Sequence, residues 1–174
     1  NSYISEIQYR IGNTFYLKGN YESALDNYQI SINHFEGDSL INPLMAETYH
    51  NMSNIFLEQD KFDEGLHYLS KSEELYSIHK DTLGLSSIYN TYGVLYSTYG
   101  NFDFAENFFR KALDIRIKYY GETNTNTASC YSNIAKLLYE LNKYEEAYNF
   151  YRKTLEIDST ILGNNHPKIA KHKL

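Results

Sequence analysis

The sequence predicts an all-α protein, a solenoid of tandem antiparallel helix pairs stacked into a continuous superhelix. Two observations support this prediction. Similar segments recur every 40–42 residues, and within each of them apolar residues twice follow the i, i+3, i+4, i+7 spacing of a helix packed along one face. The length of 174 residues, with 42% hydrophobic and 22% charged residues, suits a single folded array.

Four copies align when the chain is compared with itself. A small residue occupies the same place in each, at Gly12, Ser53, Gly93 and Ala135, which gives steps of 41, 40 and 42 residues. We predict repeats over the ranges 5–45, 46–85, 86–127 and 128–169, followed by a truncated fifth repeat over 170–174. Because the fifth copy is so short, and because residue 1 is Asn, we expect the chain to be part of a longer protein.

Each copy is predicted to form two helices. In the fourth copy, Tyr131, Ile134 and Leu138 lie on one helical face, and a second periodic segment begins at Tyr144 after a break at Asn142. One αα-hairpin cannot bury its own apolar stripe, so consecutive hairpins must stack. Small residues in both helices, such as Gly93 and its counterparts, are expected to let the paired helices cross closely.

The third copy contains a complete set of small, aromatic and turn residues at fixed positions: Gly93, Gly100, Asn101, Phe102, Ala105, Phe109 and Ala112. This pattern resembles the tetratricopeptide repeat (TPR). The long steps, together with the segment LGNNHPKIA near the end of the chain, are similar to the repeats of kinesin light chain. The resemblance implies a TPR α-solenoid that forms a right-handed superhelix. The second copy departs from the pattern at Gly65 and Ser72.

Composition argues against several classes of protein. With 16 basic and 22 acidic residues, the net charge of −6 does not supply a wide cationic surface, so we expect no nucleic-acid partner. No apolar stretch approaches the roughly 18 residues of a membrane span. The single cysteine, Cys130, excludes an intramolecular disulfide and favours a cytoplasmic location.

The sequence contains no pattern that indicates catalysis. It has no glycine-rich phosphate loop and no G-x-S-x-G motif, and its six histidines lack metal-ligand spacing. Most tyrosines occupy apolar repeat positions and are expected to pack in the core, among them Tyr28 and Tyr144. We therefore predict no catalytic residue, no metal, no cofactor and no enzymatic activity.

Helical geometry separates the packed face of each first helix from the opposite face. We number positions from the first residue of each predicted repeat, at 5, 46, 86 and 128. A helix turns about 100° per residue, so positions 2, 6, 9 and 13 point away from the packed positions 4, 7, 8 and 11. We call the sixteen residues at these positions the first-helix strip; they are Glu6, Arg10, Asn13, Leu17, Glu47, Asn51, Asn54, Glu58, Ser87, Thr91, Val94, Thr98, Ser129, Asn133, Lys136 and Glu140.

The strip is the candidate binding surface. Short amide and hydroxyl side chains suit the N–H and C=O groups of a peptide backbone, and the TPR resemblance implies that this face lines a concave groove. The residues predicted to line a peptide-binding groove are Arg10, Asn13, Asn51, Asn54, Thr91, Val94, Asn133 and Lys136.

The main hypothesis is a protein-interaction scaffold that binds a partner peptide or helix in this groove. One alternative makes the array the regulatory or sensor arm of a larger enzyme, such as a caspase-like protease or a sensor kinase, as the resemblance to similar long-repeat proteins implies. Another is self-association through the C-terminal end, where a truncated solenoid would expose apolar surface.

Overall fold

A computed structural model describes residues 2–35 and 43–162 of the chain. Eight helices lie within these residues: α1 (Ser2–Leu17), α2 (Tyr21–Asn33), α3 (Pro43–Glu58), α4 (Phe62–Ile78), α5 (Thr82–Thr98), α6 (Phe102–Tyr120), α7 (Thr125–Glu140) and α8 (Tyr144–Leu162). The all-α TPR solenoid fold is confirmed. The predicted fifth repeat over 170–174 lies outside the described residues, and the repeat boundaries stay a prediction.

The chain divides into two compact units, Asn1–Ile88 and Tyr89–Leu174, so the boundary falls inside α5. In the first unit, α1 packs against α2, α3 packs against α4, and α2 also contacts α3. In the second unit, α6 packs against α7 and α7 packs against α8. Both units therefore consist of helices paired with their neighbours in sequence, as the periodicity predicts.

The turn between the two helices of each pair uses a left-handed backbone conformation at one fixed place. Gly19 and Gly100 have φ of 72° and 74°, and Asp60 and Asn142 occupy the equivalent positions with φ of 58° and 62°. Glycine adopts this conformation without steric cost, and Asn and Asp tolerate it better than most residues. In each pair this turn connects the two helices through only three residues.

Small residues sit where paired helices approach most closely. A Cβ atom added at Gly12 would lie 2.5 Å from a ring carbon of Tyr28, and one added at Gly93 would lie 2.5 Å from a ring carbon of Phe109. In the second pair, the Ser53 hydroxyl donates a hydrogen bond of 2.8 Å to the carbonyl oxygen of Gly65. The predicted close crossing at small residues is confirmed at these positions.

Each unit has its own apolar core. Tyr9, Ala24, Tyr28, Ile32, Met52 and Ile55 form the core of the first unit. That of the second unit includes Ala105, Phe109, Ala112, Leu113, Ala128, Tyr131, Ile134, Leu137, Leu138 and Ala147. Within the described residues, no helix is long and apolar enough to cross a membrane.

The prediction that tyrosines pack in the core is correct for some residues and wrong for others. Tyr28 is fully buried, whereas Tyr144 at the start of α8 is 56% exposed. The Tyr144 hydroxyl donates to Asn142 at 2.6 Å, and its ring packs edge-on against Tyr139 with centroids 5.3 Å apart. Apolar periodicity alone does not separate these cases, because a tyrosine at a helix start can instead lie along the surface beside the turn.

We predict that Gly93→Ala destabilises the chain. Alanine favours a helix over glycine by about 1 kcal/mol, but the added Cβ would overlap Phe109, and overpacking costs about 1–3 kcal/mol. Urea unfolding should show a lower free energy of unfolding than for the wild type. Thr98→Ala, at an exposed position of the same helix, is the control; an increase in stability for Gly93→Ala would contradict the close contact.

Candidate functional site

In the first unit, the strip asparagines are joined by hydrogen bonds. The side-chain nitrogen of Asn51 on α3 donates to the side-chain oxygen of Asn13 on α1 at 3.0 Å and to the Tyr9 hydroxyl at 3.3 Å. Asn13 also accepts a hydrogen bond of 2.6 Å from the Tyr28 hydroxyl. The structure therefore brings two predicted groove residues together, and both are half-buried.

Two tyrosines take part in this network, and the sequence did not assign them to the site. Burial raises the pKa of Tyr9 to about 12, and the neighbouring Glu47 carboxylate contributes in the same direction. Burial also raises the pKa of Tyr28. Both phenols are therefore protonated at neutral pH, so their hydroxyls remain hydrogen-bond donors.

A carboxylate at the far end of α3 is held by two further tyrosines. The Tyr16 hydroxyl donates to Glu58 Oε1 at 2.8 Å, and the Tyr21 hydroxyl donates to the other oxygen of the same carboxylate. Burial, followed by the Glu58 charge, raises the pKa of Tyr16 to about 12. The position of this strip carboxylate is thus fixed by donors from α1 and α2.

The remaining predicted residues of the first unit are more open. Arg10 pairs with Glu6 one helical turn away at 2.7 Å, and both side chains are exposed. Such a surface pair contributes only about 0.3–0.5 kcal/mol. Asn54 is half-buried, and Leu17, also on the strip, is exposed.

In the second unit, strip residues surround a small pocket of about 110 Å³. Five of its lining residues belong to the strip: Val94, Thr98, Asn133, Lys136 and Glu140. The other three are Ser97, Phe109 and Leu137. Positional counting missed these three because they occupy neighbouring or packed positions, and their nearness to the strip depends on how α5, α6 and α7 meet.

Asn133 is tied to a neighbouring first helix as Asn51 is. Its side-chain nitrogen donates to the side-chain oxygen of Asn90 on α5 at 2.7 Å. Thr91, which the sequence predicted for the groove, is half-buried on α5. Asn51 and Asn133 thus both use part of their hydrogen-bonding capacity to join first helices, a role that the sequence did not indicate.

No group of three or more His, Cys, Asp or Glu side chains in the described part of the chain is arranged to hold a metal ion. Cys130 is fully buried, and burial raises the pKa of its thiol. The polar residues that the structure does bring together are amides, hydroxyls and a few exposed charges, which suit hydrogen bonding to another molecule.

We predict that Asn51→Ala lowers the free energy of unfolding by about 1–2 kcal/mol, because it removes two hydrogen bonds and leaves Asn13 with one partner fewer. Asn54→Ala, one turn further along the same strip, is the matched control and should change stability by less than about 0.5 kcal/mol. Equal losses in both variants would argue against a structural role for the Asn13–Asn51 pair.

We also predict an acid-sensitive stability. Burial lowers the pKa of His50 on α3 from 6.5 to about 4, so the unfolded state binds more protons between these values. Protonation of the unfolded chain at His50 therefore does not affect the free energy of unfolding above about pH 6.5. As the pH falls towards 4, it lowers this free energy by up to about 3 kcal/mol.

Unfolding measured at several pH values tests this expectation. His50→Gln should flatten the profile between pH 6.5 and 4 relative to the wild type. His67→Gln, at an exposed position on α4, should leave the slope unchanged. A wild-type slope retained in His50→Gln would assign the acid sensitivity to other groups.

Comparisons with solved structures agree with this architecture. The chain resembles BtubC (BKLC) from P. vanneervenii with a TM-score of 0.78 and 20% identity over 94% of this chain and 66% of that one. It also resembles the nearly identical TPR-like repeats of a kinesin light chain of Podosopora anserina, described as putative, with a TM-score of 0.74 and 12% identity over 97% and 81% of the two chains.

A third similar structure is the Rap conjugation gene regulator of plasmid pLS20, solved in complex with the Phr* peptide. It has a TM-score of 0.82 and 17% identity over 99% of this chain and 46% of that one. The chain thus spans just under two thirds of BtubC and less than half of the Rap regulator. At these identities the likeness concerns the fold.

The sequence itself identifies the family. No curated protein matches the chain significantly. The profile of the tetratricopeptide repeat matches residues 44–118 and 100–160, which together cover most of the chain. This chain belongs to the tetratricopeptide repeat family.

Proposed function

We propose that this chain is a non-enzymatic, cytoplasmic protein-interaction module that binds a peptide segment of a partner protein along the first-helix strip. The observation that carries the proposal is the pocket of the second unit, in which five strip residues lie around one opening. Val94 gives it an apolar wall, and Thr98 and Asn133 give it hydrogen-bonding groups.

The chemistry of the strip favours a peptide over other ligands. An extended peptide presents N–H and C=O groups at regular intervals, and side-chain amides can both donate to and accept from them. In the first unit, the Asn13–Asn51 pair holds its amides in one orientation. Holding the amides in place before binding lowers the entropy cost of ordering the interface.

Charge indicates the type of partner. The strip holds Glu6, Glu47, Glu58 and Glu140 against Arg10 and Lys136, and the net charge of the chain is −6. A partner segment with some Lys or Arg would therefore approach faster than an acidic one. Nucleic acid is disfavoured for the same reason.

A structural neighbour supports a peptide ligand. The Rap conjugation gene regulator, which shares this fold, was solved in complex with the Phr* peptide. Peptide binding by a relative with 17% identity makes a peptide the first ligand class to test here, and the ligand itself must be found by experiment.

Selection from a random dodecapeptide display library tests the proposal. We predict that peptides selected on the wild-type chain bind Lys136→Glu at least tenfold more weakly. Lys136 is 74% exposed and pairs with Glu140 at the pocket, so the change replaces a neutral pair by two adjacent carboxylates, and these disfavour the uncharged part of a peptide seated at the pocket. Arg152→Glu is the matched control, since Arg152 is also exposed and also pairs with a glutamate four residues on. The readout is the Kd of three selected peptides.

Two outcomes would overturn the proposal. One is that the wild-type chain enriches no peptide. The other is that Lys136→Glu and Arg152→Glu weaken binding equally, which would place the peptide away from the strip. Circular dichroism is the control that checks whether both variants are folded.

A further inference from the structure

The pocket of the second unit has an apolar base and a polar rim. Phe109 and Leu137 lie at its base with 3% and 1% exposure, and Val94 forms a wall that is 48% exposed. Thr98 and Asn133 contribute polar atoms around the opening. A ligand that covers such an apolar base removes it from water, and this lowers the free energy of the complex.

The equivalent place in the first unit has two more polar side chains, Asn13 and Tyr28, and one much larger side chain, Tyr16. Val94, Ser97 and Phe109 correspond to Asn13, Tyr16 and Tyr28, each 81 residues earlier in the chain. In the first unit the Tyr28 hydroxyl donates to Asn13 at 2.6 Å, and the Tyr16 ring stands where the second unit has the small Ser97 side chain.

One hydrogen bond is retained despite this difference in size. Tyr16 donates to Glu58 at 2.8 Å, and Ser97 donates to the equivalent carboxylate of Glu140 at 3.0 Å. The second unit therefore keeps the bond to the glutamate but loses the phenol ring and the Asn13–Tyr28 hydrogen bond. These three replacements leave an opening with an apolar base.

The size and charge of the opening restrict what it can hold. A water molecule occupies roughly 30 Å³ in the liquid, so about 110 Å³ has room for about four heavy atoms, as in a leucine or isoleucine side chain. Lys136 and Glu140 on the rim have opposite charges, and Lys136 Nζ lies 3.9 Å from Glu140 Oε1. Their charges largely cancel, which favours an uncharged occupant.

The rim can bind the backbone beside such a side chain. A side-chain amide has two N–H donors and an acceptor oxygen, and Asn133 uses one donor on Asn90 at 2.7 Å. Its oxygen and second N–H remain for the N–H and C=O groups of a peptide. The pocket thus combines a place for one side chain with hydrogen-bonding groups for the adjacent backbone.

We propose that this pocket is a specificity site that takes one aliphatic side chain, of leucine, isoleucine, methionine or valine, from a bound peptide. The inference deepens the proposed peptide binding and rests on it. Leucine at the anchoring position should be preferred over alanine by about tenfold or more, as expected for burying three additional carbon atoms.

The dodecapeptide selection also tests this site. Peptides enriched on the wild-type chain should share one aliphatic position, and alanine at that position should weaken binding about tenfold or more. Ser97→Tyr fills the opening with the residue that the first unit carries at Tyr16, a change that the same helix position already accommodates. It should abolish the aliphatic preference, whereas Tyr16→Ser, the matched control, should preserve it.

A second variant keeps the test valid if Ser97→Tyr does not fold. Val94→Asn combined with Phe109→Tyr recreates the Asn13–Tyr28 hydrogen bond beside Gly93, and it should also remove the aliphatic preference. Enriched peptides without a shared aliphatic position, or an unchanged preference in the folded variants, would overturn the pocket assignment while peptide binding stands. Failure to enrich any peptide would overturn both proposals.

Discussion

The fold depends on the close approach of paired helices at a small residue of each first helix, and in two of the pairs this residue is a glycine that faces an aromatic ring of the second helix. Gly12 meets Tyr28 in this way, and Gly93 meets Phe109. Because no side chain separates the helix from the ring, the two helices lie close together, with the first helix in a fixed rotation about its axis. That rotation determines which residues of the first helix pack inside and which remain on the strip.

We infer that the strip serves two purposes with the same residue types, one in packing and one in the proposed binding. Asn51 and Asn133 each donate to an asparagine of another first helix, so part of their hydrogen-bonding capacity maintains the packing. The remaining capacity, together with exposed residues such as Lys136 and Val94, is available to a ligand. The residue type alone therefore does not show whether a polar side chain on the strip maintains the packing or is open to a ligand, because this depends on the hydrogen-bond partners around it.

The two units show how an array can vary its surface without changing its fold. Tyr28 and Phe109 fill equivalent core positions against equivalent glycines, Gly12 and Gly93, but only Tyr28 carries a hydroxyl, which donates a hydrogen bond to Asn13. Val94 and Ser97 stand where the first unit has Asn13 and Tyr16, and the second unit has an open pocket with an apolar base at this place. Since both units keep the contact between a glycine and an aromatic ring, we expect such differences to let repeats of one fold recognise different ligand groups.

The helix pairs, their 40–42-residue register and the small residues at the crossings were predictable from the amino-acid sequence, because periodicity and side-chain size act locally and repeat along the chain. It also placed Val94, Asn133 and Lys136 on one face. The exposure of Tyr144, the pairing of asparagines between first helices, and the contribution of Ser97 and Phe109 to a pocket became visible only in the folded chain. These features depend on contacts between side chains far apart in sequence. Helical periodicity shows on which face of its own helix a residue lies, but it does not show which residues of other helices that face meets.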